Sequence, residues 1–164
     1  MAELTPKLIK RSKWRSFMDV GEASVPSLSL MGEGFTQLEE SKNPVEYSRK
    51  YVHEDSERTD VVGFAPSVAY AVDAHSDSAV IAKIIKAHEQ ELTMEDAHVN
   101  IVSVNLFEEG VTEGSCVAYK RTYAIIPDSK AGDNALTYSG TFKCVSEKIK
   151  GEFAIATSIF TPDA

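Results

Sequence analysis

The sequence contains few of the residues that metal sites, redox sites and disulfide frameworks need. Its 164 residues include two cysteines, four histidines and one tryptophan. Cys116 and Cys144 lie in strand-like segments without a CxxC pair, which predicts free buried thiols in a protein made in a reducing compartment. The histidines show no spacing typical of metal ligands. We therefore predict no metal and no cofactor.

Motifs for catalysis are missing as well. The sequence has no GxSxG, no Walker A loop and no HExxH, and Gly32–Gly34 lacks the third glycine of a dinucleotide-binding loop. Residues 128–133 resemble a calcium loop only superficially, because the alternating oxygen ligands and the closing glutamate are missing. His88 falls on an apolar helical stripe, which is typical of a core histidine. These absences predict a protein without catalytic residues, and hence not an enzyme.

Basic residues are outnumbered, 17 against 25 acidic, for a net charge of -8. This balance argues against binding nucleic acid by phosphate neutralisation. The charge is uneven: residues 1–20 carry +3 and residues 53–114 carry -10. The basic stretch is either a solvated arm or an arm that docks onto an acidic neighbour of the same kind. On the second interpretation its candidate contacts are Lys7, Lys10, Arg11, Lys13 and Trp14.

Long apolar runs are also absent. No stretch approaches the roughly 18–20 apolar residues of a membrane span, and Met1–Phe17 has no apolar core of a signal peptide. We expect neither a signal peptide nor a membrane partner.

The residues that are present alternate as strands do. Val68, Tyr70, Val72 and Ala74 share one face of a strand over 67–75. The apolar spacing within residues 78–92 predicts the single helix, with Asp77 or Ser78 as its N-cap. The order of strands, helix and more strands predicts an α+β, mainly antiparallel β fold: a β-sandwich or small barrel with one flanking helix. We expect a basic arm over residues 1–16 and one domain over 17–164.

The C-terminal third contains two further predictions. Residues 127–134 are rich in turn-forming residues and predict a connection between strands. The segments 136–145 and 149–160 alternate and are separated by a short corner at Glu147 and Lys148, which predicts that they pair as a hairpin.

An ordered series of segments resembles a known family. Asn43–Val52 (NPVEYSRKYV) is followed by Thr59–Tyr70 (TDVVGFAPSVAY), and later by Arg121–Asp128, Leu136–Lys143 and the stretch KIKG at 148–151. Over residues 31–160 the sequence is similar to tail tube (major tail) proteins of siphophages and prophages of Gram-positive bacteria. No single motif is specific, and the order and spacing of the segments carry the resemblance.

The resemblance implies a structural subunit that assembles into stacked hexameric rings. The rings form a hollow tube for genome passage, and an acidic lumen would keep DNA from binding. Implied partners are further copies of the chain, tape measure, tail terminator and baseplate or distal tail proteins. The implied location is the virion tail, after synthesis in the bacterial cytoplasm. The segment 41–62 would reach the next ring, with candidate contacts at Tyr47, Arg49, Tyr51, Glu54, Asp55, Glu57, Arg58 and Asp60.

Other functions stay open at this stage. A tube protein of a contractile particle or phage-tail-like bacteriocin, a tail terminator or a decoration subunit would share these features. A monomeric β-sandwich module that binds carbohydrate or another ligand is the main alternative of a different class, and an unrecognised enzyme is a third. A binding module should group exposed aromatic residues on one sheet face, whereas the only tryptophan lies at Trp14.

Overall fold

Antiparallel strands make up most of the computed structural model, which describes residues 6–22 and 24–164. The described residues contain one α-helix and mainly antiparallel strand pairs, so the predicted mainly antiparallel β fold with one helix is confirmed. In chain order the elements are β1 (Trp14–Asp19), β2 (Leu28–Leu30), β3 (Phe35–Ser41), β4 (Pro44–Arg49), β5 (Arg58–Phe64), β6 (Ser67–Asp73), α1 (Ala79–Glu89), β7 (His98–Glu109), β8 (Ser115–Ala131), β9 (Thr137–Cys144), β10 (Ile149–Ala154) and β11 (Ile159–Pro162).

The chain divides into two compact units. The first consists of Val99–Thr122, Glu147–Ala164 and the described part of Met1–Glu33. The second consists of Gly34–His98 and Tyr123–Ser146. Strand β8 contributes its first half to one unit and its second half to the other.

In the first unit, β1 lies between β2 and β7, and the start of β8 pairs with β10, which pairs in turn with β11. Inward-facing residues from these strands form one apolar core. Phe17 packs against Phe153 with ring centroids 4.5 Å apart. Burial of such rings is the main stabilising term for a unit of this size. The fully or nearly buried members of this core are Val102, Val104, Cys116, Ala118 and Phe153.

In the second unit, the end of β8 pairs with β9, β9 with β6, and β6 with β3. Strand β6 alternates as predicted, with Val68, Tyr70 and Val72 buried. Helix α1 begins after Ser78, whose hydroxyl accepts a 3.3 Å hydrogen bond from the backbone N–H of Ile81. The prediction of one helix within 78–92 is therefore confirmed. Its buried face consists of Val80, Ile81, Ile84 and Ala87.

The predicted hairpin of 136–145 with 149–160 is wrong. Strand β10 pairs with β8 in a register that places Ile149 opposite Lys120, and β9 pairs with β6 and β8. The segment 149–160 is also not one strand, because it turns at residues 155–158 and returns as β11. Alternation shows which residues face inward, but it does not identify the partner strand.

The predicted turn at 127–134 is only partly correct. Strand β8 continues through Pro127 to Ala131, and the turn occupies residues 132–136. Proline fits here because it lies at a bulge, where the register shifts between Pro127 and Ser129. Its partner is Gly140, where an added Cβ would lie 2.4 Å from the carbonyl oxygen of Ile126 and 2.6 Å from the hydroxyl of Tyr70.

Candidate assembly surfaces

Strands β4 and β5 form a separate two-stranded sheet, which we call the ribbon. No third strand pairs with it among the described residues. All residues of β4 are exposed, and in β5 only Gly63 is partly covered. An isolated two-stranded hairpin is marginally stable in water. The ribbon is therefore an element whose two faces and two edges are open to a partner.

Local contacts hold the base and the middle of the ribbon. Asn43 adopts φ of 46°, and its side-chain amide donates to the carbonyl of Ala65 at 3.1 Å and to the hydroxyl of Ser67 at 3.1 Å. Asparagine tolerates this left-handed conformation better than most residues. Farther along, the hydroxyls of Ser48 and Thr59 lie 2.8 Å apart across the strands. These contacts fix the register without any help from a core.

Apolar side chains are exposed on the ribbon. Phe64 is 59% exposed and Val62 is 63% exposed, although both lie within a strand. Val45 and Val61 are also exposed. Exposed apolar groups clustered on one element mark an interaction surface, whereas isolated ones carry no such meaning. This group was not predicted from the sequence, where the run Val61–Phe64 beside an acidic loop was the signal for it.

The loop at residues 50–57 joins the two strands and forms the tip of the ribbon. Its Glu54 N–H donates to the carbonyl of Tyr51 at 3.0 Å, which closes a turn. The carboxylate of Glu54 forms an ion pair with Arg58, whose guanidinium also lies 5.9 Å from the ring of Tyr51. Val52 between them is completely exposed. The tip therefore presents an apolar side chain on a turn that is already ordered.

The structure brings the predicted inter-ring residues together on this ribbon and its loop. Tyr47 and Arg49 lie on β4, opposite Asp60 and Arg58 on β5. Directly opposite residues of an antiparallel pair share a face, so these four side chains form one polar face. The guanidinium of Arg49 lies 5.2 Å from the Tyr47 ring. The remaining predicted residues, Tyr51, Glu54, Asp55 and Glu57, lie in the loop, and only Glu54 is partly buried.

The predicted arm contacts separate into two groups. Lys7, Lys10 and Lys13 are exposed and precede β1. Trp14 belongs to β1, is partly buried, and donates its indole N–H to the hydroxyl of Ser103. Arg11 lies 4.5 Å from the Trp14 ring. The structure thus places the lysines on an open surface and Trp14 within its own unit.

A cavity of about 270 Å³ opens at the edge of the core in the first unit. Core residue Val102 forms part of its wall, together with Leu28 and Phe160, which pack against that core. Lys120 supplies a cationic group. The remaining lining residues are Asp19, Pro26, Asn100, Ser158 and Ile159.

Titratable side chains meet in the second unit between α1 and the sheet. The hydroxyl of Tyr70 lies 2.7 Å from Nε2 of His88, and the Tyr138 hydroxyl donates to Glu89 at 2.7 Å. Burial lowers the pKa of His88, while Glu89 opposes that effect. Burial raises the pKa of the Tyr70 hydroxyl far above its usual range. His88 is hydrogen-bonded and partly buried, as predicted for a core histidine, so the network accounts for its polar groups structurally.

The described residues meet the requirements of neither a metal site nor a membrane-spanning helix. Among the described residues, no three histidine, cysteine or acidic side chains are grouped so as to hold a metal ion. Across the same residues, no helix is long and apolar enough to cross a membrane.

The fold resembles solved structures, although the sequence matches no protein-family model and no curated protein. A chain in the tail of an empty GTA particle with C6 symmetry aligns with a TM-score of 0.59 at 9% identity, over 86% of this chain and 97% of that chain. A chain in the 6-fold symmetrised baseplate of the anti-feeding prophage (AFP) aligns with a TM-score of 0.49 at 11% identity, over 90% and 97%. Only the first likeness bears on the fold, and it shows that this chain shares the fold of a particle tail chain.

Proposed function

We propose that this chain is a structural subunit of a phage-type tail tube, of the kind carried by phages of Gram-positive bacteria. Its copies assemble into hexameric rings, and the rings stack into a hollow tube through which a genome passes. In this proposal the protein is not an enzyme and uses no cofactor. Its activity consists of the contacts that copies make with one another.

The ribbon is the observation that carries the proposal. A two-stranded sheet without a core of its own exposes Val45, Val61, Val62 and Phe64 to solvent. Maintaining such a surface costs solubility unless a partner covers it. A second copy is the partner that a repetitive tube supplies at every position. We therefore assign the ribbon and its loop to the contact between rings.

The fold that this chain shares with a solved tail chain supports the proposal that its copies form a ring. The tail chain of the GTA particle that this chain resembles belongs to an assembly with C6 symmetry. A heterologous contact between copies closes into a ring when its rotation divides a full turn, and stacking then extends the ring into a tube. The edge strands β2 and β3 offer unpaired backbone groups for contacts within the ring.

The net negative charge of the chain supports the proposal that DNA passes through the tube. The chain carries a net charge of -8, with -10 over residues 53–114. Carboxylates lining a lumen would repel phosphates, so that DNA passes without specific binding. The basic residues Lys7, Lys10 and Lys13 would then meet acidic surfaces of neighbouring copies. The remaining proposed partners are tape measure, tail terminator and baseplate or distal tail proteins, and the proposed location is the virion tail after synthesis in the bacterial cytoplasm.

Electron microscopy of the purified protein at rising concentration tests the proposal. We expect rings and hollow tubes of uniform width. A variant in which a short glycine–serine linker replaces residues 46–60 should keep a cooperative thermal unfolding transition, because no other strand pairs with the ribbon among the described residues, and it should form no tubes. A matched control replaces the exposed Val111 and Glu113 of the β7–β8 loop by serine and should still assemble. Persistent monomers of the wild type, or tubes formed by the linker variant, would contradict the proposal.

A further inference from the structure

We propose that the cavity of the first unit receives the ribbon tip of a second copy, with Val52 as the side chain that enters it. The inference rests on the proposed function, because it names the surface to which the inter-ring ribbon binds. The two surfaces lie on different parts of the chain, and no ribbon residue lines the cavity of its own chain.

The cavity has the size and lining of a receptor for side chains. Its volume of about 270 Å³ is near the lower end of the roughly 300–1,000 Å³ of ligand pockets, so it has room for only a small apolar group such as one or two side chains. Val102, Leu28 and Phe160 make its wall continuous with the unit's apolar core. Ile159 at its rim is 57% exposed. One or two apolar side chains from a partner would complete this core.

The ribbon tip supplies a matching side chain. Val52 is completely exposed, and Tyr51 beside it is 49% exposed. The turn that presents them is ordered by the hydrogen bond from Glu54 N–H to the Tyr51 carbonyl and by the ion pair between Glu54 and Arg58. Binding through a preorganised turn loses little conformational entropy, which favours association.

The charge of the two segments favours the ribbon tip over the arm as the segment that enters the cavity. The arm also has exposed apolar residues, Leu8 and Ile9, but they lie between Lys7 and Lys10. Insertion of the arm would bring these lysines towards Lys120. The tip contains one lysine, Lys50, against the three acidic residues Glu54, Asp55 and Glu57, so its net negative charge complements Lys120.

Asp19, the acidic residue that lines the cavity, does not reverse the preference for the ribbon tip. The carboxylate of Asp19 accepts hydrogen bonds from the backbone N–H groups of Gly21 at 2.9 Å and Ser27 at 3.0 Å. Its charge is therefore partly compensated within its own loop. Lys120 remains the group that a charged partner segment would meet.

Contact between a ribbon tip and a cavity is heterologous, since the two surfaces differ. Each copy offers one tip and one cavity, so contacts of this kind extend from copy to copy instead of closing into an isologous dimer. This is the connectivity that stacking of rings requires.

Cysteine cross-linking in assembled protein tests the inference. We would mix Val52→Cys with Ile159→Cys, both in a Cys144→Ser background, under conditions in which tubes form. Mild oxidation should give dimers that contain one copy of each variant. A mixture of Val52→Cys with Val111→Cys is the control, since Val111 is equally exposed but does not line the cavity. Tubes that yield no dimer with Ile159→Cys, or that cross-link to Val111→Cys instead, would overturn the inference.

Charge insertion gives a second test. Val52→Asp should remove tubes at concentrations at which the wild type assembles, and it should leave thermal unfolding unchanged because the side chain has no contacts to lose. Val111→Asp, the same substitution at another exposed valine, should assemble normally. Normal tubes from Val52→Asp would overturn the inference and leave the proposed function intact. Failure of the wild type to form rings or tubes would contradict the proposed function, and the inference would fall with it.

Discussion

His88 on helix α1 and Tyr70 on strand β6 are joined by a 2.7 Å contact between Nε2 and the phenolic hydroxyl. The rings also meet edge to face, with centroids 6.2 Å apart, and Tyr138 lies on another side of the imidazole at 4.9 Å. This contact connects the only α-helix of the described residues to the sheet.

Stability should fall in mild acid because of His88. Burial holds its pKa below the ordinary 6.5 in the folded chain, whereas Glu89 acts in the opposite direction. The stabilisation is fully present above pH 6.5 and is lost as the pH falls through the lowered value, since the unfolded chain takes up the proton first. We expect the urea midpoint to fall between about pH 7.5 and about pH 5.5.

The substitution His88→Gln separates the loss of stability caused by His88 from that caused by other titrating groups. His88→Gln keeps a hydrogen-bonding side chain without a titrating ring, so its midpoint should change less over that range. The control His53→Gln, at an exposed loop position, leaves His88 in place and should keep the pH dependence that His88 confers. Hydrogen bonds with Lys130 and Tyr138 lower the pKa of Glu89, so its stabilisation is fully present above its ordinary value of 4.5 and is lost only at lower pH, outside the range compared. An equal pH dependence in wild type and His88→Gln would refute the assignment.

Gly140→Ala should destabilise the second unit. An added Cβ would meet the Ile126 carbonyl oxygen at 2.4 Å, a backbone atom that cannot move cheaply, and the Tyr70 hydroxyl at 2.6 Å. Overpacking of this kind costs about 1–3 kcal/mol. Chemical unfolding measures the loss. Gly63→Ala on the ribbon is the matched control, because nothing lies within 4 Å of its added Cβ, and it should leave stability nearly unchanged.

Truncation of the helix face should have a larger effect. Ile84 is completely buried against the sheet, and removal of its side chain in Ile84→Ala should cost about 2–5 kcal/mol. Differential scanning calorimetry would show the lower melting temperature. Ala82→Ser, on the exposed face two residues away, is the control and should shift stability by less than about 0.5 kcal/mol. Similar stability of both variants would contradict the packing described for α1.

The exposed apolar residues of the ribbon should matter for assembly and not for folding. The pair Val62→Ser and Phe64→Ser should leave monomer stability within about 0.5 kcal/mol, because neither side chain belongs to a core. Tubes should be lost under conditions in which the wild type assembles, as seen by electron microscopy and sedimentation. The control pair Val145→Ser and Ile155→Ser removes similarly exposed apolar groups elsewhere. Equal loss of assembly in both pairs would argue against a specific role of the ribbon.

The arm lysines should contribute an attraction that depends on salt. Lys7→Glu with Lys10→Glu should raise the concentration needed for assembly at low ionic strength. The difference from wild type should shrink towards 1 M salt, where the screening length is only about 3 Å. The neutral pair Lys7→Gln with Lys10→Gln should show a smaller effect. Turbidity against salt concentration measures it, and a defect that persists in high salt would exclude an electrostatic role.

Local patterns predicted the elements whose determinants lie close together in sequence. The cap at Ser78 and the spacing of Val80, Ile81 and Ile84 specify α1, and the alternation of Val68, Tyr70 and Val72 specifies β6. Local patterns did not predict which strands pair. Ile149 lies opposite Lys120 of β8 and not opposite a residue of β9. Such pairing depends on which apolar faces meet in three dimensions.

The same limit applies to the candidate surfaces. The resemblance located the segment around Tyr47 and Arg58, and the structure shows that this segment is a two-stranded sheet. The cavity beside Val102 is built from segments far apart in the chain, so no local pattern marks it. Likewise, Pro127 predicts a turn by its type but occupies a strand, because it lies at a bulge.

The register shift in the ribbon has a geometric consequence. Val45 lies opposite Gly63 and Glu46 lies opposite Val61, so Val62 is the surplus residue of a bulge. Bulges bend a strand pair and increase its twist. Removal of Val62 would keep every cross-strand pair and straighten the ribbon, so that the same tip would point in a new direction. In the proposed tube, this single surplus residue would therefore decide the direction in which each copy presents its tip to a neighbour.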